Sequence, residues 1–376
     1  MGGAERVLLS LVQAAPAAGH TVAVAAAAGS LSQEVVCPTY PVPLLARRPT
    51  RLPQGILALN RAVQGFHPDL IHCHNPGMAV IGAPLCFGGH RIPGLVTVQG
   101  VPDQDYPATA RLLRWARLPV VACGPGVTAG LADARLRVRA TIGNGVAPAP
   151  PPLEDIAHQR AVWGLPTAGP LAISVGRLEP QKHHDLSIRA LALVPELSLV
   201  ILGEGPLRAP LETLARQLGV ADRVALPGIR SDARAIVAAA DVGILASRWE
   251  GLPLVGLEAA AAGTPLVATS VRGVREVFTD RRDALLVQPD DPAALASAVS
   301  LLLTDRSLAR RLVTGGMTLA SSYGEDEMVV GYERLYQELA APPPPRRTRR
   351  VNWPVRSSRQ ARGSGDSSTG AGPSCG

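Results

Sequence analysis

The chain has 376 residues and a formal net charge of +7, and 47% of its residues are hydrophobic. This length exceeds what one ordinary hydrophobic core encloses, so we expect two domains. Five scattered cysteines without a Cys-x-x-Cys pair argue against a disulfide framework and favour a reducing compartment. No apolar run approaches the length that a transmembrane helix needs.

Most of the positive charge lies in residues 341–376, which contain seven arginines and a single acidic residue, Asp366. Subtracting the +6 of this tail from the total of +7 leaves +1 for the other 340 residues. A nearly neutral folded part implies no basic face for nucleic acid. Prolines, arginines and a Gly/Ser run predict that the tail is disordered, either as a solvated extension or as a segment that binds anionic lipid headgroups.

In chain order, residues 1–146 predict an α/β domain. We expect a first helix that ends at Gly19 rather than a secretion signal, because Glu5 and His20 interrupt the charge and apolar pattern of such a signal. Short apolar runs then predict strands at 21–27, 69–72, 94–98 and 119–122. Residues 147–165 begin with a proline-rich run, which predicts a linker between domains.

Residues 166–321 repeat this alternation and predict a second α/β domain. Its strands are predicted at 171–175, 198–202, 224–225, 242–245, 266–268 and 284–287, and its helices at 185–194, 207–218, 232–239, 253–262 and 292–303. Such alternation is typical of doubly wound, Rossmann-like domains with parallel sheets, which bind ligands beyond the carboxyl ends of their strands. Residues 322–340 add one amphipathic helix, so the expected fold is two such domains facing a cleft.

Glu250 and Glu258 flank the start of a predicted helix. A buried strand ends at Ala246, Pro253 fits a first helical position, and Gly263 suits the end of the helix. Backbone N–H groups at such a helix start attract anionic or hydroxyl-rich ligands, and carboxylates accept hydrogen bonds from sugar hydroxyls. The alternative is that Glu250 complements the helix dipole and Glu258 lies on the surface.

Arg177 and Lys182 lie in the loop after a predicted strand that ends at Gly176. A guanidinium fork and a compact ammonium together suit a diphosphate. Lys182 is the only lysine among 37 basic residues. Either it marks a site where an ammonium is preferred to a guanidinium, or this lysine has survived by chance. Gly203 and Gly205 form a glycine turn after the next strand, which is a weak signal by itself.

Taken in order, these segments resemble the bacterial retaining glycosyltransferases of family 4, which have the GT-B fold. The resemblance covers nearly all of residues 2–340. It is carried by Gly2, Gly3, Arg6, Gly19, His20, His72, His74, Asn75, Asn144, Gly145, Val146, Gly176, Arg177, Lys182, Gly203, Glu204, Gly205, Glu250, Glu258, Gly273, Glu276, Leu285, Val287 and Asp290. Two glutamates with seven residues between them are a weak signal, but the ordered set is specific.

The resemblance implies a donor site in the second domain and an acceptor site in the first. Arg177 and Lys182 would stabilise the departing nucleoside diphosphate in place of a metal ion, so no metal or cofactor is expected beyond the nucleotide sugar. Glu250 would hold hydroxyls of the transferred sugar, and Glu258 those of the ribose. Catalysis is assigned to Arg177, Lys182 and Glu250. Donor binding is assigned to Gly3, Gly176, Arg177, Lys182, Gly203, Gly205, Glu250, Gly251, Leu252 and Glu258.

The chain departs from the family pattern at two places. Relatives carry a strand before the glycine loop, whereas Met1 here directly precedes Gly2 and Gly3, so we expect the first sheet to lack a central strand. A start upstream of Met1 and a truncated chain both explain this, and we favour the first. Many relatives also carry a histidine in the loop after the strand at 94–98, where this chain has Gln99. A glutamine side chain cannot act as a base near neutral pH. We assign no catalytic base, and expect strand-end packing for His72, His74 and His90 and solvated loop positions for Asp103 and Asp105.

The expected function is transfer of a hexose from a UDP- or GDP-sugar to a glycan, lipid-linked or polyol acceptor with retention of configuration. A role in envelope polysaccharide biosynthesis, in the cytoplasm and at the inner face of the membrane, follows by family analogy alone. Two alternatives stay open. One is a sugar-nucleotide-binding protein without turnover, and the other is a sugar-nucleotide epimerase of the same fold. We expect no nucleic-acid partner.

Overall fold

The computed structural model describes residues 3–27, 35–43, 49–88, 91–146, 148, 150 and 154–341. The predictions made for Met1, Gly2, His90, most of the proline-rich run and the tail lie outside these residues. The domain boundaries given above stay predictions.

The first domain alternates helices and short strands. Its first helix gives way to a one-turn 3-10 helix that ends at Gly19, whose left-handed backbone (φ 79°) stops it where the sequence predicts. The elements are α1 (Gly3–Ala14), β1 (Val24–Ala26), β2 (Thr39–Pro41), α2 (Leu52–Phe66), β3 (Ile71–Cys73), α3 (Pro76–Phe87), β4 (Gly94–Val98), α4 (Tyr106–Ala116), β5 (Val120–Ala122), α5 (Pro125–Asp133) and β6 (Ala140–Thr141).

The strands of the first domain form two separate parallel sheets. Strand β1 pairs with β2, with Val24 opposite Thr39, whereas β3, β4, β5 and β6 form a four-stranded sheet in that order. Within the part of the chain that the structure describes, no strand joins β1 to β3. Among the described residues, one edge of β1 and one edge of β3 therefore have no hydrogen-bonded neighbour, which agrees with the gap expected in this sheet.

The second domain is built on one six-stranded parallel sheet, in the order β12-β11-β10-β7-β8-β9. Its main strands are continuous apolar runs because helices cover both faces of the sheet. Helix α6 (Ile156–Val162) lies within the predicted linker 147–165, for which the sequence predicts no helix. The elements that follow it are β7 (Leu171–Val175), α7 (His184–Leu191), β8 (Ser198–Leu202), α8 (Arg208–Gln217), β9 (Val224–Gly228), α9 (Ala233–Ala238), β10 (Val242–Leu245), α10 (Leu254–Ala261), β11 (Leu266–Thr269), α11 (Arg272–Arg275), β12 (Leu285–Val287), α12 (Pro292–Thr304) and α13 (Arg306–Ala320).

One hydrophobic core is shared by the two domains. It contains Val127 of α5 in the first domain together with Leu252 and Val274 of the second, all of them buried. Burial of apolar surface stabilises contact between the sheets at roughly 25 cal/mol per Å². The carboxyl ends of both sets of strands are thereby held facing the same cleft.

The last helix, α14 (Glu325–Ala340), packs against the first domain. Its buried residues Met328, Tyr332 and Leu335 pack in one cluster with Val7 of α1 and Leu95 of β4. This packing explains why the helix is amphipathic, because one side covers the four-stranded sheet and the other faces water.

His72 and His74 pack at the end of β3, in the role expected from the sequence. The ring of His72 is hydrogen-bonded to Tyr336 at 2.8 Å and to Thr97 at 2.7 Å, and it stacks on His74 at 3.9 Å between centroids. Burial holds the pKa of His72 well below its usual range and lowers the pKa of His74 to about 4. Both rings are therefore neutral near pH 7, and they join α14 to the sheet.

Candidate active site

Glycines bring the carboxyl ends of β7 and β8 into close contact. A Cβ atom on Gly203 would lie 2.0 Å from the carbonyl oxygen of Gly176, and one on Gly205 would lie 2.5 Å from that of Leu178. A side chain at either position would force the backbone apart. This contact fixes the loop that follows β7, which carries both predicted cations.

Lys182 extends from that loop to the loop after β10. Its Nζ donates to Oε1 of Glu250 at 2.7 Å, and Oγ of Ser247 donates to the same oxygen at 2.6 Å. The side chains of Lys182 and Glu250 are only 17% and 6% exposed. Each charge compensates the lost hydration of the other, so the pair persists as a unit in the cleft. Two residues that the sequence assigns to catalysis are thus in contact.

Arg177 stands apart from this pair. Its Nη1 donates to Oε1 of Glu179 at 3.0 Å, and its side chain is 51% exposed. An exposed ion pair of this kind contributes at most about 1 kcal/mol, so an anionic ligand competes well for the guanidinium. The structure leaves Arg177 accessible in the same loop as Lys182.

Glu258 lies one turn inside α10 and faces the first domain. Arg6 of α1 forms an ion pair with its carboxylate, and the side chain of Glu258 is 14% exposed, so the alternative of a surface position is wrong. Burial raises the pKa of Glu258, and Arg6 opposes that shift. A Cβ atom on Gly3 would lie 2.8 Å from Cδ1 of Leu254. The start of α1 therefore faces the start of α10 across the cleft.

The loop that carries Glu250 is held from the first domain as well. A Cβ atom on Gly251 would lie 2.1 Å from the carbonyl oxygen of Gln99, and one on Gly100 would lie 2.5 Å from the Cα of Gly251. Leu252 is buried and packs against Gly124. Backbone-to-backbone contact across the cleft thus requires glycine on both sides.

Gln99 and Asn144 form an amide pair beside this contact. Nδ2 of Asn144 donates to Oε1 of Gln99 at 2.8 Å, while Nε2 of Gln99 and Oδ1 of Asn144 are buried without a partner among the described residues. The hydrogen-bonding capacity of this buried amide pair is therefore only partly used among the described residues.

Arg272 is a cross-domain residue that the sequence did not indicate. Its guanidinium donates to Asp103 at 3.1 Å and to Asp133 at 2.8 Å, and it lies 6.0 Å from the ring centroid of Tyr106. Asp103 is therefore ion-paired, and its side chain is also 55% exposed, as expected for a solvated loop carboxylate. These partners are far apart in sequence, so no local pattern relates them.

A cavity of about 320 Å³ opens between Asp103 of the first domain and Glu250, Trp249 and Arg272 of the second. This volume is at the lower end of the range for small-molecule sites. Within the described ranges, no group of three or more His, Cys, Asp or Glu residues is placed to hold a metal ion.

Family models match both halves of the chain. A model described as Glycosyltransferase Family 4 matches residues 1–148, and one described as Glycosyl transferases group 1 matches residues 155–317.

Curated relatives match the sequence of this chain over part of their length. The lipopolysaccharide core biosynthesis glycosyltransferase LpsE of Rhizobium meliloti is 34% identical over 181 residues, which cover 48% of this chain and 53% of the relative. The D-inositol 3-phosphate glycosyltransferase of Xylanimonas cellulosilytica is 35% identical over 207 residues, covering 52% and 50%. The chain thus spans about half the length of the curated relatives it matches.

Solved structures share the fold at low sequence identity. Anabaena HepE in complex with UDP and glucose has a TM-score of 0.76 at 22% identity and covers 90% of this chain and 96% of its own. Sucrose-phosphate synthase from Thermosynechococcus elongatus has a TM-score of 0.78 at 23% identity, with coverage of 90% and 94%. At these identities the likeness establishes two Rossmann-like domains in the same arrangement.

Proposed function

Because the chain belongs to glycosyltransferase family 4 and has the GT-B fold, we propose that it transfers a hexose from a nucleoside diphosphate sugar with retention of anomeric configuration. The donor is a UDP- or GDP-sugar, and the acceptor is a hydroxyl of a glycan, a lipid-linked sugar or a polyol. The observation that carries this proposal is the buried Lys182–Glu250 pair at the carboxyl ends of β7 and β10.

The cations of the loop after β7 supply the electrostatic part of the reaction. Negative charge develops on the diphosphate as its bond to the anomeric carbon breaks, and a positive charge fixed beforehand stabilises that state. Lys182 is held in place by Glu250, and Arg177 is exposed enough to turn towards a diphosphate. The pair of cations takes the part that a metal ion plays in other transferases, so the proposed reaction needs no metal.

The carboxylates orient the donor. Glu250 accepts hydrogen bonds from hydroxyls of the transferred hexose, and Glu258 accepts those of the ribose after exchanging its contact with Arg6. Correct placement of the reacting atoms contributes to the rate because it removes the entropy of bringing them together.

The bond changes are those of a front-face substitution. The acceptor oxygen bonds to the anomeric carbon on the face from which the diphosphate departs, and its proton passes to a diphosphate oxygen. The anomeric configuration is thereby kept. This route uses no side chain as a base, in keeping with Gln99 in the loop after β4.

One observation favours a second candidate, a sugar-nucleotide-binding protein without turnover. The break between β1 and β3 lies in the domain that would bind the acceptor. An epimerase has less support, since the Lys182–Glu250 pair has no part in that chemistry.

The experiment that tests the proposal follows UDP or GDP release by the full chain, with and without a hydroxyl acceptor, in buffer that contains EDTA. Acceptor-dependent release and an NMR coupling constant that shows retained configuration at the anomeric proton are the expected results. Inversion of configuration would contradict the retaining mechanism. Binding without release would support the second candidate instead.

A further inference from the structure

The amino ends of β4, β5 and β6 form an arginine-rich edge of the first domain, opposite the ends that face the cleft. None of the segments 91–94, 106–119 and 134–141 contains an aspartate or a glutamate. We call this surface the basic edge. Its exposed cations are Arg91, Arg111, Arg114, Arg117, Arg135, Arg137 and Arg139.

The basic edge is one continuous surface. A Cβ atom on Gly94, the first residue of β4, would lie 2.5 Å from Sγ of Cys86 and 3.3 Å from Cδ2 of Leu118, so the ends of α3 and α4 meet there. Nη1 of Arg114 donates to the carbonyl oxygen of Ala134 at 3.1 Å, which joins the end of α4 to the segment before β6.

Most of these arginines have no acidic partner. Arg139 pairs with Glu338 at 2.6 Å, and the other six form no ion pair within the described part of the chain. The near-neutral total charge of the folded part, which suggested no basic face, therefore conceals an uneven distribution. Uncompensated charge on one surface attracts an anionic partner over about a Debye length.

Two exposed aromatic rings lie on the same edge. Trp115 near the end of α4 is 62% exposed, and Phe87 at the end of α3 is 57% exposed. Arg111, Arg114 and Trp115 share the outward face of α4 through their spacing of three and four residues, while Leu113 is buried on the opposite face. Aromatic residues are only 3% of the chain, so two exposed rings among cations are a concentrated feature.

Three of the arginines occupy left-handed turns. Arg91, Arg117 and Arg135 have φ values of 52°, 54° and 57°. Glycine or asparagine adopts this conformation more easily, and the chain nevertheless keeps a cation at each turn. These turns therefore place three of the cations at the edge itself.

We propose that the basic edge docks the protein on an anionic lipid bilayer. The arginines bind headgroup phosphates, and Trp115 and Phe87 enter the headgroup layer, where amphipathic and aromatic rings are favoured. In the part of the chain that the structure describes, no helix is long and apolar enough to cross a membrane. The proposed contact consists of clustered cations and a few inserted rings.

The basic edge is separate from the cleft. Helix α4 begins at Tyr106, beside Arg272 of the second domain, and Trp115 lies nine residues further on, roughly 14 Å along the helix axis. Substitutions at the edge therefore leave turnover of a water-soluble acceptor unchanged.

The test is co-sedimentation of the full chain with vesicles of phosphatidylcholine alone and with vesicles that also contain phosphatidylglycerol. Binding only to the anionic vesicles, weakened by added salt, is expected. The double substitution Arg117→Glu and Arg137→Glu, at two exposed positions of the edge, should reduce that binding more than about tenfold. Arg310→Glu with Arg311→Glu on α13 changes the net charge equally and leaves the edge intact, so it should bind like the native chain. Circular dichroism melting confirms that both variants fold.

Fluorescence provides a second measurement. Anionic vesicles should shift tryptophan emission to shorter wavelength, and Trp115→Phe should abolish the shift. The proposal is overturned if the edge variant binds as well as the native chain, if the α13 variant loses as much, or if neutral vesicles bind equally. It is also overturned if the loss occurs only when Arg346, Arg347, Arg349 and Arg350 of the tail are changed to Ser, or if an RNA oligonucleotide binds more tightly than the vesicles.

Discussion

Lys182 and Glu250 form a buried ion pair in which 2.7 Å separates Nζ from Oε1, although 68 positions separate the two residues in the chain. The pair joins the loops at the carboxyl ends of β7 and β10, and Ser247 donates to the same carboxylate oxygen. Each charge therefore depends on the other for compensation in a site that is poorly hydrated.

Breaking this pair from one side should destabilise the fold. Lys182→Met leaves the Glu250 carboxylate buried without its cation, so we expect the free energy of unfolding to fall by about 3–5 kcal/mol. Urea unfolding at neutral pH measures this. The double variant Lys182→Met with Glu250→Met removes both charges and should recover most of the loss. If the two substitutions were instead additive, the pair would not be an energetic unit.

Glu258 should bind the donor in a pH-dependent way. Burial raises the pKa of its carboxyl, so the residue stays protonated to a higher pH than an exposed glutamate does. An ionised carboxylate accepts two hydroxyl hydrogen bonds, and donor affinity should therefore increase as the pH rises through this raised pKa. Isothermal titration calorimetry with the nucleoside diphosphate measures this affinity. Glu258→Gln should weaken binding about tenfold and remove the pH dependence that comes from the Glu258 carboxyl.

The exposed Glu276, which follows α11, provides the control for that experiment. Glu276→Gln should bind the nucleotide like the native chain at every pH. Equal weakening by both variants would mean that the effect comes from net charge and not from a contact of Glu258 with the ribose.

Arg272 should hold the two domains together. It contacts Asp103 and Asp133 of the first domain, and its side chain is 22% exposed. Arg272→Ala should increase the radius of gyration measured by small-angle X-ray scattering, as the domains separate. Arg275→Ala removes an exposed arginine three positions later that pairs with no carboxylate in the described residues, and it should leave the radius unchanged. High salt should reproduce the effect of Arg272→Ala, because it screens the exposed carboxylate partners.

Continuous apolar runs explain why most of the second domain could be predicted from the sequence. Strands β7, β8 and β10 match their predicted bounds because each is a short buried run between turn residues. Strand β6 has only two residues, and α3 is apolar all round its surface, so neither gives a clear periodic signal. Pro253 precedes α10 and does not begin it, a shift of one residue that hydropathy cannot resolve.

The site was predictable where its residues share one domain. Lys182 and Glu250 follow neighbouring parallel strands, so the fold brings their loops together. The contacts of Arg6 with Glu258 and of Arg272 with Asp103 connect different domains. They depend on the relative orientation of the two sheets, which no spacing within the sequence encodes. The functional roles assigned to the site residues stay predictions.

Buried histidines should make stability depend on pH. Burial lowers the pKa of His184 to about 4, whereas the unfolded chain has an ordinary histidine near 6.5. The unfolded state therefore binds more protons, and stability that is present above pH 6.5 is lost as the pH falls towards 4. Urea unfolding at several pH values should show that His184→Gln reduces the slope of the free energy of unfolding against pH by up to about 1.4 kcal/mol per pH unit. His158→Gln, at an exposed position, should not change it.

Release of nucleoside diphosphate by the native chain, compared with the variants Lys182→Arg and Glu250→Gln, is the most direct test of the proposed transferase. Lys182→Arg keeps the charge but replaces the compact ammonium, and Glu250→Gln keeps the shape but removes the anion. With donor, hydroxyl acceptor and EDTA present, we expect the native chain to turn over and each variant to lose about 100-fold or more in kcat. Turnover by both variants at the native rate, or donor binding by the native chain without any release, would contradict the account.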